Sequence, residues 1–215
     1  LHPEKKFRPI PSGKISTASA ITIAIILLAA ASIISLQLSK PFFLAMLAFF
    51  LFTQLYTFKL KHEPFADILA ISINFVLRAV SGIFILSIKL GHWIIICTFF
   101  LALFLVTAKR KAESSFLKGV KASHRTVLEA YDDSIINALL IISTTSLILA
   151  YAFFISLSEF ENLFITFPLI IYLIFLYLGL TFSNSSIARN PEQVFKNKKF
   201  LLALIYYFLP HSIVT

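Results

Sequence analysis

Two lysines and a carboxylate stand close together in YTFKLKHEPFAD, residues 56–67, where one apolar run gives way to the next. Lys59, Lys61 and Asp67 are the residue types that hold a magnesium-bound diphosphate, with cations for the phosphoryl oxygens and a carboxylate for a hard divalent cation. Each has an ordinary explanation taken singly. Lysines at a membrane surface extend their ammonium groups toward water, and Asp67 suits the cap of the helix that follows. Arg78 shifts the balance. On a helix starting at Asp67, the residues Asp67, Asn74, Arg78 and Ser81 fall within a narrow arc, so one side is polar from its end inward. Arg78 lies about 16 Å along that helix from Asp67. An arginine so deep in an apolar span costs at least roughly 2.5–3.5 kcal/mol unless it faces protein or water. A polar cavity that opens at the Asp67 end relieves this cost and makes an anion site; an ion pair with another helix is the structural alternative.

The longest polar stretch, KRKAESSFLKGVKASHRTVLEAYDD at 109–133, adds more cations. Lys109 and Glu113 are one turn apart, Lys121 and Arg125 likewise, and Arg125, Glu129 and Asp133 continue the series. That spacing predicts a surface helix laced with ion pairs. Two readings remain open: a solvated face, or a lid that brings Lys109, Arg110 and Arg125 to bound phosphates, for which arginine is geometrically suited.

The elements that must position these residues are membrane helices. Of the 215 residues 59% are hydrophobic and 13% charged, and mean hydropathy is +0.90. A water-facing globular domain does not carry that composition. Apolar spans are expected at 17–39, 41–58, 67–88, 92–108, 134–157, 163–182 and from 200 to the end, each near the length that crosses a bilayer. Lipid satisfies no backbone polar group, so the fold class is all-α, a polytopic transmembrane helical bundle forming one domain over residues 1–215. Pro41 suits the first turn of the second helix. ARNPEQVF at 188–195 reads as a helix start, with Asn190 at the cap, Pro191 next and Gln193 at the capping-box position. With 24 Phe and only 5 Gly, helix packing is expected to rely on aromatic side chains. The single Cys97 and the five scattered histidines offer no metal site.

Spans in series place alternate loops on opposite sides. Of the 19 Lys and Arg residues, all but Lys40, Lys89 and the intramembrane Arg78 fall on one side, which the positive-inside rule makes cytoplasmic. All of the 10 acidic residues except Glu159 and Glu161 share that side, although topology does not require it. Mixed charge of this kind marks a working face, in a multi-pass protein of the cell membrane.

The opening stretch, HPEKKFRPIPSG, resembles a segment of the UbiA superfamily of intramembrane prenyltransferases, through His2, Pro3, Lys5, Arg8, Pro9, Ile10, Ser12 and Gly13. The resemblance is strongest to the branch that transfers a phosphoribosyl group to decaprenyl phosphate. It continues in order through Tyr56, Leu60, Lys61 and Asp67, NFVLRAVSG at 74–82, KRKAE at 109–113, HRTVLEAY at 124–131 and NPEQVF.

The resemblance implies a nine-helix bundle whose cavity opens to lipid and to the cytoplasm, of which seven helices are expected here. It also implies that residue 1 follows an Asp-rich motif bearing the main Mg2+ ligands, so that this piece alone is inactive. The implied substrates are phosphoribosyl diphosphate and a polyprenyl phosphate, with no nucleic-acid partner. By the same resemblance Lys5, Arg8, Lys61 and Arg110 contact phosphate, Asp67 contacts metal or ribose, and Arg78 holds the acceptor phosphate or a cavity carboxylate. The alternatives are prenyl transfer to an aromatic acceptor, for which the lone Asp67 is a poor fit, and a noncatalytic membrane protein or transporter.

Overall fold

The structure, a computed structural model, describes residues 9–86, 91–118, 131–158, 161–183, 186–198 and 200–202. Among the described residues six helices are long and apolar enough to cross a membrane: α1 (Thr17–Leu38), α2 (Lys40–Phe58), α3 (Ala66–Leu86), α4 (His92–Lys118), α5 (Asp133–Ser156) and α6 (Thr166–Phe182). A short α7 (Ser186–Arg189) and a 3-10 turn at Pro191–Lys196 follow. Among the described residues there is no β-strand. The expected seventh span begins within them, and its part from residue 203 onward lies outside.

Local chemistry sets the corners. The Ser16 hydroxyl accepts from the Ser19 N–H at 3.1 Å and caps α1. Ser39, with extended backbone, serves two helices. Its N–H donates to the Ser35 carbonyl at the end of α1, and its hydroxyl accepts from the Phe42 N–H at the start of α2. Pro41 occupies the first turn of α2, where no N–H partner is lost. Before α1, Gly13 donates to the Ile10 carbonyl at 3.0 Å with φ +77, a conformation that favours glycine.

Helices adjacent in sequence from α1 to α5 pack in series, and α4 also touches α6 and α7. One core cluster joins Phe104 and Ala108 of α4 to Leu140, Leu147, Ile174 and Tyr177. A second, formed by Ile68, Val106, Tyr131 and Ile136, lies where α3, α4 and the entry to α5 meet. By contrast only Ser35 is buried on α1, and none of α2 is, so these two apolar helices face outward. A Cβ added at Gly82, Gly91 or Gly179 meets nothing within 4 Å, in keeping with packing that does not depend on glycine contacts.

Two expectations are corrected. Residues 109–118 are neither a loop nor a separate surface helix, because α4 runs unbroken to Lys118, and the rest of that expected helix, 119–130, lies outside the described residues. No Gly or Pro interrupts 109–118, and Ala112 and Ser114 are buried, so packing carries the helix past the apolar run. Within ARNPEQVF a helix does start at Pro191 with Asn190 at the cap position, but it is a 3-10 turn and Asn190 makes no side-chain cap bond. The Gln193 N–H is satisfied instead by the Asn190 carbonyl at 2.8 Å.

Candidate active site

The start of α3, the last third of α4 and the entry to α5 meet at the charged end of the bundle. Asp67, in the first turn of α3, is 0% exposed. Its Oδ2 accepts from Nε of Arg110 at 2.8 Å, and its Oδ1 accepts from the Tyr131 hydroxyl at 2.5 Å. Arg110, 3% exposed, also donates from Nη1 to Oε2 of Glu113 at 2.7 Å. A guanidinium flanked by two carboxylates tolerates this burial because both ion pairs are also hydrogen bonds. The Nη2 of Arg110 makes no hydrogen bond to any described residue.

Tyr131 is 1% exposed and ties two segments together. Besides donating to Asp67, its oxygen accepts from the Phe65 N–H at 2.8 Å. The two rings meet edge-on at 5.6 Å. Phe65 has φ +64, the left-handed region that a bulky residue adopts only when its surroundings hold it there. Burial pushes the Tyr131 phenol up from its ordinary value, and the hydrogen bond to Asp67 adds to the shift. The phenol therefore keeps its proton as donor.

The next residue on α4 points elsewhere. Nζ of Lys111 lies 3.2 Å from Oδ1 of Asp133, at the start of α5, and 5.9 Å from the ring centre of Phe182, at the end of α6. Arg110 and Lys111 thus fasten α4 to different neighbours.

Of the residues singled out from the sequence, Asp67 and Arg110 are brought together. Lys61 and Lys109 are half-buried and make no ion pair with a described residue. Arg78 is exposed midway along α3, and no described carboxylate pairs with it. Between it and Asp67, Oδ1 of Asn74 is buried without a partner among the described residues. Lys5, Arg8 and Arg125 lie outside the described residues. The expected Lys109–Glu113 pair is replaced by Arg110–Glu113. Tyr131 was not anticipated as a site residue; its only signal was its place at the end of HRTVLEAY.

Among the described residues no three His, Cys, Asp or Glu side chains gather as a metal site. Both oxygens of Asp67 are engaged by Arg110 and Tyr131, so these residues as arranged do not fit a divalent cation.

The profile of the UbiA prenyltransferase family matches residues 1–205. The chain belongs to that family. It is 31% identical over 150 residues to the decaprenyl-phosphate phosphoribosyltransferase of Mycolicibacterium smegmatis, covering 70% of this chain and 47% of that protein. To the enzyme of the same name from Mycobacterium tuberculosis it is 30% identical over 150 residues, covering 70% and 50%. The chain spans about half the length of these curated relatives. Its fold is similar to that of a UbiA homolog from Archaeoglobus fulgidus bound to GPP and Mg2+, with TM-score 0.66, 22% identity and coverage of 80% of this chain and 61% of the other. The same homolog bound to DMAPP and Mg2+ gives TM-score 0.63 at 22% identity, covering 82% and 60%. This UbiA-family chain is therefore a multi-pass membrane protein.

Proposed function

We propose that the protein bearing this chain transfers a 5-phosphoribosyl group from phosphoribosyl diphosphate to a polyprenyl phosphate in the membrane. The observation that carries this reading is the buried Arg110, held by Asp67 and Glu113 with Nη2 uncommitted, in a chain about 30% identical to two decaprenyl-phosphate phosphoribosyltransferases. In the reaction the bond from ribose C1 to the diphosphate oxygen breaks and a bond from C1 to an oxygen of the lipid phosphate forms. The electron pair leaves with diphosphate, and no redox partner is needed.

Arg110 contacts the departing diphosphate and stabilises the charge that grows on it, a role suited to a donor fixed in place before reaction. Asp67 fixes the guanidinium. Lys61, Lys109, Lys5, Arg8 and Arg125 belong to the same proposal as further phosphate contacts, and Arg78 as the contact for the acceptor phosphate. Mg2+ is included in the proposal because the similar solved structures are bound to that ion; if bound, it would neutralise diphosphate charge. The described residues gather no ligand set for it, and no step is assigned to it. The charged face is cytoplasmic and the membrane is the cell membrane in this reading, which the basic loops support.

The test is an assay of the full-length protein in lipid with radiolabelled phosphoribosyl diphosphate and, separately, radiolabelled prenyl diphosphate. Label appearing in polyprenyl phosphate from the first donor is the expected result. Transfer of the prenyl group to a hydroxybenzoate-type acceptor overturns it in favour of the other chemistry of the fold.

A further inference from the structure

We infer that Tyr131 is a positioning residue for the diphosphate subsite, acting through Asp67 on Arg110 and through Phe65 on the turn that leads into α3. The inference rests on the proposed function for the identity of the ligand, but its geometry stands apart from it. One oxygen atom makes two bonds. It accepts from the Phe65 N–H at 2.8 Å and donates to Oδ1 of Asp67 at 2.5 Å. The first bond, with the edge-on ring contact, holds Phe65 at φ +64 and so fixes where the segment carrying Lys61 enters the helix. The second leaves the Asp67 carboxylate only one oxygen for Arg110, which takes it through Nε.

That choice of nitrogen matters. An arginine gripped side-on by one carboxylate through Nε and Nη2 has both of those nitrogens committed to that partner. Arg110 is instead anchored from its Nε side and through Nη1 to Glu113, so Nη2 is the edge left for an anion. If the Tyr131 hydroxyl is lost, Oδ1 loses its donor and the carboxylate is free to turn toward a two-pronged grip on the same arginine. A phenol can serve both partners at once because it donates one hydrogen bond while accepting another. Phenylalanine keeps the ring and its packing and removes only this function.

The test compares the full-length wild type with Tyr131→Phe and Tyr151→Phe. The second variant loses another hydroxyl bond, 2.6 Å to Thr166, near the opposite end of α5, and so reports the general effect of losing such a bond. Each protein is measured for melting temperature, for binding of inorganic diphosphate by calorimetry, and for KM toward both substrates. Tyr131→Phe is expected to raise Kd for diphosphate and KM for phosphoribosyl diphosphate about tenfold or more, the range set by one hydrogen bond to a charged group, with KM for polyprenyl phosphate unchanged. Tyr151→Phe is expected to move melting temperature alone.

A Tyr131→Phe protein with wild-type Kd for diphosphate overturns the inference, as does one that weakens both substrates equally or only melts earlier. A wild type that binds diphosphate in a Tyr131-dependent way yet transfers no phosphoribosyl group keeps the positioning role and removes the proposed function. A wild type that binds no diphosphate removes both.

Discussion

Nε of Arg110 and Oδ2 of Asp67 lie 2.8 Å apart across 43 positions of sequence, with side chains 4% and 0% exposed. The pair clamps α3 to α4 at the charged end of the bundle, directly over the apolar cluster of Ile68, Val106 and Ile136. Its burial means that neither partner can be removed quietly.

Replacing Arg110 with Met leaves Asp67 charged, buried and hydrogen-bonded only by Tyr131. Breaking a buried pair from one side costs about 3–5 kcal/mol. Thermal melting in detergent is expected to show a loss of that order for Arg110→Met, with much of it recovered when Asp67→Asn is added. Independent, additive losses from the two changes remove the idea that the charges depend on each other.

Tyr131 gives the clearest pH signature. Its folded-state pKa is raised above the ordinary phenol value of about 10. A raised pKa means that the folded state holds the proton more tightly than the unfolded one. The stability this contributes is whole below about pH 10 and declines as pH rises from there toward the raised value. Metal-free wild type is expected to lose stability more steeply above pH 10 than Tyr131→Phe does. In phenolate absorbance, the late step that belongs to Tyr131 is expected to be missing from the variant's curve.

Local and one-dimensional features of this fold were legible in the chain. The Ser39–Pro41 corner depends on neighbouring residues, and the spans depend on a bilayer length that the apolar runs must match. The apolar run stops at Lys109 but α4 does not, because buried Ala112 and Ser114 extend the packed face beyond it. The pairing of Glu113 failed for a related reason. Lys109 and Arg110 both lie about one turn from Glu113, and spacing does not separate them. What separates them is Asp67 on the inner side, which depends on how α3 and α4 are rotated against each other. Tyr131 lies 64 positions from Asp67, and no periodicity connects a loop phenol to a helix-start carboxylate.

Sidedness follows from where the charged helix ends gather. In a protein with Cys97 replaced by Ala, a cysteine at Lys59, exposed at the end of α2, is expected to react with a membrane-impermeant maleimide only in inverted vesicles. A cysteine at Leu157, 65% exposed at the opposite end of α5, is expected to react in intact spheroplasts. The reverse pattern overturns the cytoplasmic assignment of the charged face.

Arg78 is expected to behave in the opposite way to Arg110. It is exposed midway along α3, with no carboxylate partner among the described residues, so Arg78→Gln leaves no buried charge unpaired. Its effect on melting is expected to stay within about 0.5 kcal/mol, as for substitutions away from packed or paired groups. If its guanidinium holds the acceptor phosphate, the loss falls on one substrate. KM for polyprenyl phosphate rises about tenfold or more while KM for phosphoribosyl diphosphate stays, the mirror image of the Tyr131→Phe result. An Arg78→Gln protein that melts several degrees lower with both KM values unchanged makes Arg78 a structural residue, since an arginine in the apolar layer that serves only packing is felt in stability and nowhere else.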